Sequence, residues 1–208
     1  MNFIMGRTQK EIISARKERI DRLIAEKTGQ GYELKDLSVD GNKANKMALL
    51  TGVIPSAVFV LLFGFLYGWE KFTDVDLLLI LAVFLFSIFV HEGIHGLFFG
   101  LFAEHHFKSI EFGIIWKSMN PYCYCGEPVT RKHYLTGLLM PGIILGCITG
   151  VIGLIIGNAS VIVFSVFSLF AAGGDLYIAW LIMKTSKKGR EESYLDHPDK
   201  PGVMMLVK

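Results

Sequence analysis

His91-Glu92-Gly93-Ile94-His95 brings two imidazoles and a carboxylate together within five residues. On a helix, residues four apart differ by about 40° around the axis, so both imidazoles leave from one face. That arrangement suits tetrahedral zinc (Zn2+). The Glu beside the first His reaches a metal-bound water and can act as its general base. The chemistry this pattern points to is hydrolysis by an activated water. Zinc needs a third protein ligand if the fourth position is to hold that water. Asp175 is the candidate, because it is the only charged residue in the last apolar run of the chain. Its other readings are a helix cap or a member of a proton relay.

The elements that must position these residues read as membrane helices. The 208 residues are 52% hydrophobic and 19% charged, with a mean hydropathy of +0.46. A soluble domain of this size needs a more polar coat. Four apolar runs stand out: Met47 to Tyr67, Leu77 to Phe102, His133 to Ile156 and Ala159 to Met183. About 20 apolar residues at 1.5 Å each span the hydrocarbon core. The motif lies inside the second run, where each charged group costs at least about 2.5 kcal/mol on insertion scales. Groups held there at such a cost face a polar or metal-filled interior. The expected fold is therefore mainly α, with about four transmembrane helices. A small β-hairpin-like segment is expected over 107–129, between helices two and three, from its aromatic and branched residues and its turn signals.

Charge sets the expected topology. Lys and Arg crowd residues 1–46 and the tail 184–208, and the 103–132 segment carries Lys and Arg as well. The links 70–76 and 157–158 carry one Lys between them. Both termini in the cytoplasm of a multi-pass cell-membrane protein satisfy the positive-inside rule at every loop. The domains expected are a cytosolic segment 1–46, a membrane domain 47–183 and a cytosolic tail 184–208. His91, His95 and Asp175 then fall at about one depth, near the cytosolic ends of helices two and four. The first 28 residues read as an amphipathic helix, with Ile12, Ala15, Arg19 and Leu23 roughly aligned with Ile20 and Ile24. It either covers the cytosolic face of the membrane domain, the favoured reading, or lies on the membrane surface. They do not read as an apolar leader.

Other polar residues offer less. Asn120, in Asn-Pro, is a turn residue or a contact to substrate backbone. His197 could approach the cytosolic opening. Glu104, His105, His106 and His133 read as interfacial. Cys123 and Cys125 form a C-x-C, and an odd total of three cysteines does not suggest a disulfide framework. Gly93, Gly96 and Ala171 to Gly174 leave room for a metal and its water or for helix packing. The Gly146-x-x-x-Gly150 pattern permits dimerisation.

His91-Glu92-Gly93-Ile94-His95 in a membrane helix, a β-like segment after it, and Gly174-Asp175-Leu176 in a later helix form a recognisable set. With Asp196-His197-Pro198 and Pro201-Gly202 in the tail, the chain resembles the zincin peptidase family of small bacterial membrane proteins. More broadly it resembles site-2 protease-type intramembrane zinc metalloproteases. The resemblance covers roughly residues 77–202. It implies zinc ligation by His91, His95 and Asp175, Glu92 as general base, and a membrane protein or peptide as substrate. In the site-2 class the aspartate sits in a Pro-Asp-Gly or Leu-Asp-Gly sequence that interrupts its helix; here no proline precedes it. Two other functions use the same residues: an ion or proton transporter, and a non-catalytic zinc-binding scaffold. A net charge of +2 is too small to suggest nucleic acid.

Overall fold

Capping side chains mark where the helices begin. Thr8 and Glu11 form a reciprocal capping box at the first helix. Asp40 accepts the N–H groups of Asn42 and Lys43, Asp76 that of Leu79, and Asn158 that of Val161. Each satisfies N–H groups that the first helical turn leaves without partners. The structure, a computed structural model, describes residues 2–3, 8–115, 120–187 and 189–208, and of residues 2, 3, 115 and 120 the backbone only.

In chain order the elements are β1 (Asn2–Phe3), α1 (Gln9–Gly29), β2 (Glu33–Asp36), α2 (Gly41–Tyr67) and α3 (Leu77–Phe102). The hairpin β3 (Ile110–Ile115) and β4 (Asn120–Cys125) follows, then β5 (Val129–Thr130). Helix α4 (Arg131–Pro141) continues through a π-helical stretch, Gly142–Ile148, into α5 (Thr149–Ile156). Helices α6 (Ala159–Ala171) and α7 (Gly173–Thr185) precede β6 (Glu192–Asp196) and β7 (Val203–Val207).

Among the described residues, three helices are long and apolar enough to cross a bilayer: α2, α3 and the composite Arg131–Ile156. The α6–α7 pair makes a fourth if it is counted as one span, bent by 49°. Phe65 is 87% exposed, Leu78 81% and Ile155 74%. Water does not tolerate a continuous apolar girdle of this kind, whereas lipid does. The first of these helices begins at Gly41, six residues before the apolar run, and contains Pro55 without a break.

Small residues bring the helices together. Gly146 meets Leu169, Gly150 meets Phe59 and Ser165, and Gly153 meets Ile162. The Gly-x-x-x-Gly face is thus occupied within the chain by α6 and α2. The Ser165 hydroxyl donates to the Gly146 carbonyl at 2.8 Å, inside the π-helical stretch. Where the backbone departs from α-helical pairing in an apolar layer, such side-chain donors satisfy it.

Two small sheets lie at one end of the bundle. One has the order β1-β3-β4, with β1 parallel to β3 and β3 antiparallel to β4. The other, β2-β7-β6-β5, is antiparallel throughout. Its strands come from just before α2, just before α4 and just after α7. It therefore gathers the start of α2, the start of α4 and the end of α7 on one side, as four alternating spans require. The tail supplies two strands of this sheet, and Leu195, Val203, Met204, Met205, Leu206 and Val207 are buried in it. Helix α1 covers this layer. Its Ile20 packs with Tyr124, Leu195, Met204 and Leu206. The face it buries holds Arg16 and Ile20, while Ala15 and Arg19, assigned to the apolar stripe by spacing, are exposed.

Gly173 is the tightest of these approaches. A Cβ there would stand 2.0 Å from the Ala48 carbonyl oxygen of α2. A Cβ at Gly93 would meet nothing within 4 Å. Gly173→Val is expected to lower stability by about 1–3 kcal/mol or more through overpacking. Gly93→Ala is expected to be neutral or stabilising by up to about 1 kcal/mol. Thermal unfolding of the two variants in detergent checks this; equal midpoints would contradict the packing described.

Candidate metal centre

The side chains of the motif are oriented by three different elements. Helix α3 presents His91 and His95 on one face, both buried. Helix α4 supplies the Gly137 carbonyl, 2.9 Å from His95 Nδ1. A carbonyl only accepts, so Nδ1 carries a proton and Nε2 is the nitrogen that faces the interior. Asp175 comes from α7. The helix is interrupted just before it, with Ala172 at φ −76° and ψ 0°. The Thr51 hydroxyl of α2 donates to the Gly173 carbonyl at 2.6 Å. Asp175 therefore stands in the first turn of a new helix, beside α3. The interruption is made without a proline, by Ala172-Gly173 and the bend.

His95 Nε2 lies 3.1 Å from His91 Nε2. Asp175 Oδ2 lies 3.2 Å from His91 Nε2 and 3.5 Å from His95 Nε2. A tetrahedral zinc with ligand distances of about 2.0–2.2 Å holds its ligand atoms about 3.3 Å apart. The triangle has that size. Chemically, two imidazoles and a carboxylate converge on one point. Among the described residues this is the one group of three or more His, Cys, Asp or Glu that could hold a metal ion. The donor set fits zinc.

Glu92 is half-buried, and its Oε2 accepts the Cys123 N–H at 2.7 Å. Cys123 belongs to β4, the edge strand of its sheet. The next outward amide of that edge, Cys125 N–H, donates at 2.7 Å to Asp196 Oδ2. Asp196 Oδ1 accepts the Tyr134 hydroxyl at 2.5 Å. Burial pushes the Asp196 carboxyl above its ordinary value, and these two donors work against that rise.

Two cavities meet at His91 and Glu92. A vestibule of about 400 Å³ reaches His91, Glu92, His95 and Asp175 from the side of the sheets. Asp196 and the 197–202 turn line it, and Arg16 of α1 roofs it. A second cavity, of about 290 Å³, touches His91, Glu92, Phe84, Ser87, Leu145 and Ser168. Ala171 borders both and is exposed. Gly96 does not add to this space, contrary to the expectation from spacing, because the Phe112 ring fills it: a Cβ there would lie 2.1 Å from Phe112 Cζ. Gly93 faces open surroundings away from both cavities.

The remaining candidates sort clearly. His197 lines the vestibule, but its Nδ1 accepts the N–H groups of Asp199 and Lys200, so it shapes the turn. Cys123 contributes its backbone. Burial raises the Cys125 thiol to about 12 and the Cys123 thiol well above its ordinary value, so neither is a ready thiolate. His105 pairs with Glu127 at 2.5 Å in the exposed turn after α3, and His133 stacks on Phe102. The Asn120 side chain lies outside the described residues. Spacing gave no warning of Arg16, one cation among many in α1. Asp196 was visible as part of the tail motif, with nothing to say that it reaches the vestibule.

Arg16 is 7% exposed, and its Nε donates to Glu111 Oε2 at 2.8 Å. Its guanidinium lies 3.9 Å from the Tyr124 ring centroid. Arg19 bonds the other oxygen of Glu111 at 2.9 Å. Removing one partner of a buried pair leaves an uncompensated charge and costs about 3–5 kcal/mol. Glu111→Ala is expected to release α1, so that trypsin cuts within residues 16–22 at low dose while the wild type resists there. Unchanged resistance would show that apolar contacts alone hold the helix.

No curated protein and no solved structure matches the chain. A family model matches residues 84–189, just over half of the chain, a stretch that runs from α3 through α7 and takes in both histidines, Glu92 and Asp175. On that match the chain belongs to the family described as "Putative zincin peptidase".

Proposed function

We propose that this protein is a zinc-dependent intramembrane peptidase, hydrolysing a peptide bond of a membrane protein or peptide at or near the bilayer. The single observation that carries the reading is the triangle of His91, His95 and Asp175 with Glu92 beside it. Membership of a zincin peptidase family supports the metallopeptidase part. The depth of the motif within α3 and the likeness to site-2 proteases support the intramembrane part.

In this reading His91, His95 and Asp175 hold the ion, and the Gly137 carbonyl keeps His95 in the ligating tautomer. Bound zinc would lower the pKa of a coordinated water toward 7 and polarise the scissile carbonyl. Glu92 takes the proton from the attacking water and returns it to the leaving amine. The vestibule admits water from the side of the sheets. By the positive-inside rule that side is the cytosol, with both termini there. A helical substrate hides its carbonyls, so a stretch of it unwinds before cleavage. β4 offers an edge for that stretch, although its Cys123 and Cys125 amides are engaged by Glu92 and Asp196. Pairing there draws Cys123 away from Glu92 and leaves the carboxylate free to serve as base.

Purified protein in detergent is expected to carry about one zinc per chain, lost in His95→Ala and Asp175→Ala and kept in Glu92→Gln. In cells, new protein termini in the membrane fraction are expected with the wild type and not with Glu92→Gln. No zinc in a folded wild type would sink the reading and return the buried charges to ion or proton transfer. Stoichiometric zinc with identical termini in both strains would favour a non-catalytic scaffold.

A further inference from the structure

The second cavity is not explained by holding a metal or admitting water. Its walls come from Phe84, Ser87 and Ile88 of α3, Leu145 of the π-helical stretch, and Ser168 and Ala171 of α6, with Pro121 of β4 at the site. Phe84 precedes His91 by seven residues, so the cavity extends about 10 Å from the triad. It extends away from the sheets, into the apolar layer. Most of its wall is carbon. Its polar members are Ser87, His91, Glu92 and Ser168, and the Ser168 hydroxyl is sealed from the open space. Ser87 donates to the Phe84 carbonyl at 2.7 Å.

Size and position together restrict the occupant. About 290 Å³ is near the lower limit for small-molecule pockets. An intact helix, about 10 Å across, does not enter it. One apolar side chain from an unwound stretch does. We infer that this cavity is the side-chain subsite of the metal centre. It takes one medium-sized aliphatic side chain, leucine-like, from the residue flanking the scissile bond. The inference rests on the peptidase reading above and adds a substrate preference to it.

Hydroxamic acids test it, because they bind an active-site metal of this kind and carry any chosen side chain. Protein loaded with Co2+ in place of zinc reports binding through its visible absorption. N-acetyl-leucine hydroxamate is expected to bind at least about tenfold more tightly than acetohydroxamate, the gain of a filled apolar pocket. Ser168→Leu fills the cavity and is expected to abolish that preference, while metal content and acetohydroxamate affinity stay at wild-type values. Phe84→Ala enlarges the cavity and is expected to shift the preference toward a phenylalanine side chain; it covers the case in which Ser168→Leu fails to fold. Equal affinities for the two hydroxamates in the wild type, or a preference untouched by the folded variants, would overturn the subsite. Absence of bound cobalt, or no response to acetohydroxamate, would instead overturn the peptidase reading beneath it.

Discussion

Two imidazoles and a carboxylate meet inside a largely apolar helix bundle, and much of the structure serves to keep them there. Lipid supplies no hydrogen bonds, so every polar group at that depth must find its partner inside the protein. His95 finds the Gly137 carbonyl, Glu92 the Cys123 amide, and the histidines and Asp175 find one another. Each partner comes from a different element. Displacing α4, β4 or α7 would therefore leave a buried polar group unpaired, and the site and the helix bundle hold each other in place.

The same constraint accounts for the irregular backbone. The bend between α6 and α7 turns Asp175 toward α3, and the Thr51 hydroxyl takes up the Gly173 carbonyl at the bend. The π-helical stretch after Pro141 is treated alike, with Ser165 donating to Gly146. Broken helices occur in apolar layers only where neighbouring side chains repair the broken pairing. Glycines at 146, 150 and 173 let the repairing helix approach closely enough to do so.

At the polar end, the sheet β2-β7-β6-β5 joins chain segments that the membrane helices keep far apart in sequence. It fixes the helix ends, and through Asp196 and the turn after it the tail becomes part of the vestibule wall. Helix α1 closes the arrangement by docking Arg16 onto Glu111 and the tyrosines of the hairpin. The vestibule and the apolar cavity share His91, Glu92 and Ala171.

The helical segments, the hairpin and the three residues that meet at the candidate metal centre were legible in the sequence. Apolar run length maps directly onto bilayer thickness, and a four-residue spacing maps onto one helix face; both are local properties. Asp175 was legible for a related reason, since a lone charge in an apolar run is costly enough to need a purpose. The sequence did not disclose the strands of the tail, the burial of Arg16, the role of the Cys123 amide, the filling of Gly96 by Phe112, or the second cavity. Each of these depends on which surfaces meet across long separations in the chain. A backbone N–H or the empty space between two helices leaves no mark in residue type. They are properties of pairs of elements and not of any one element, so they arise on packing.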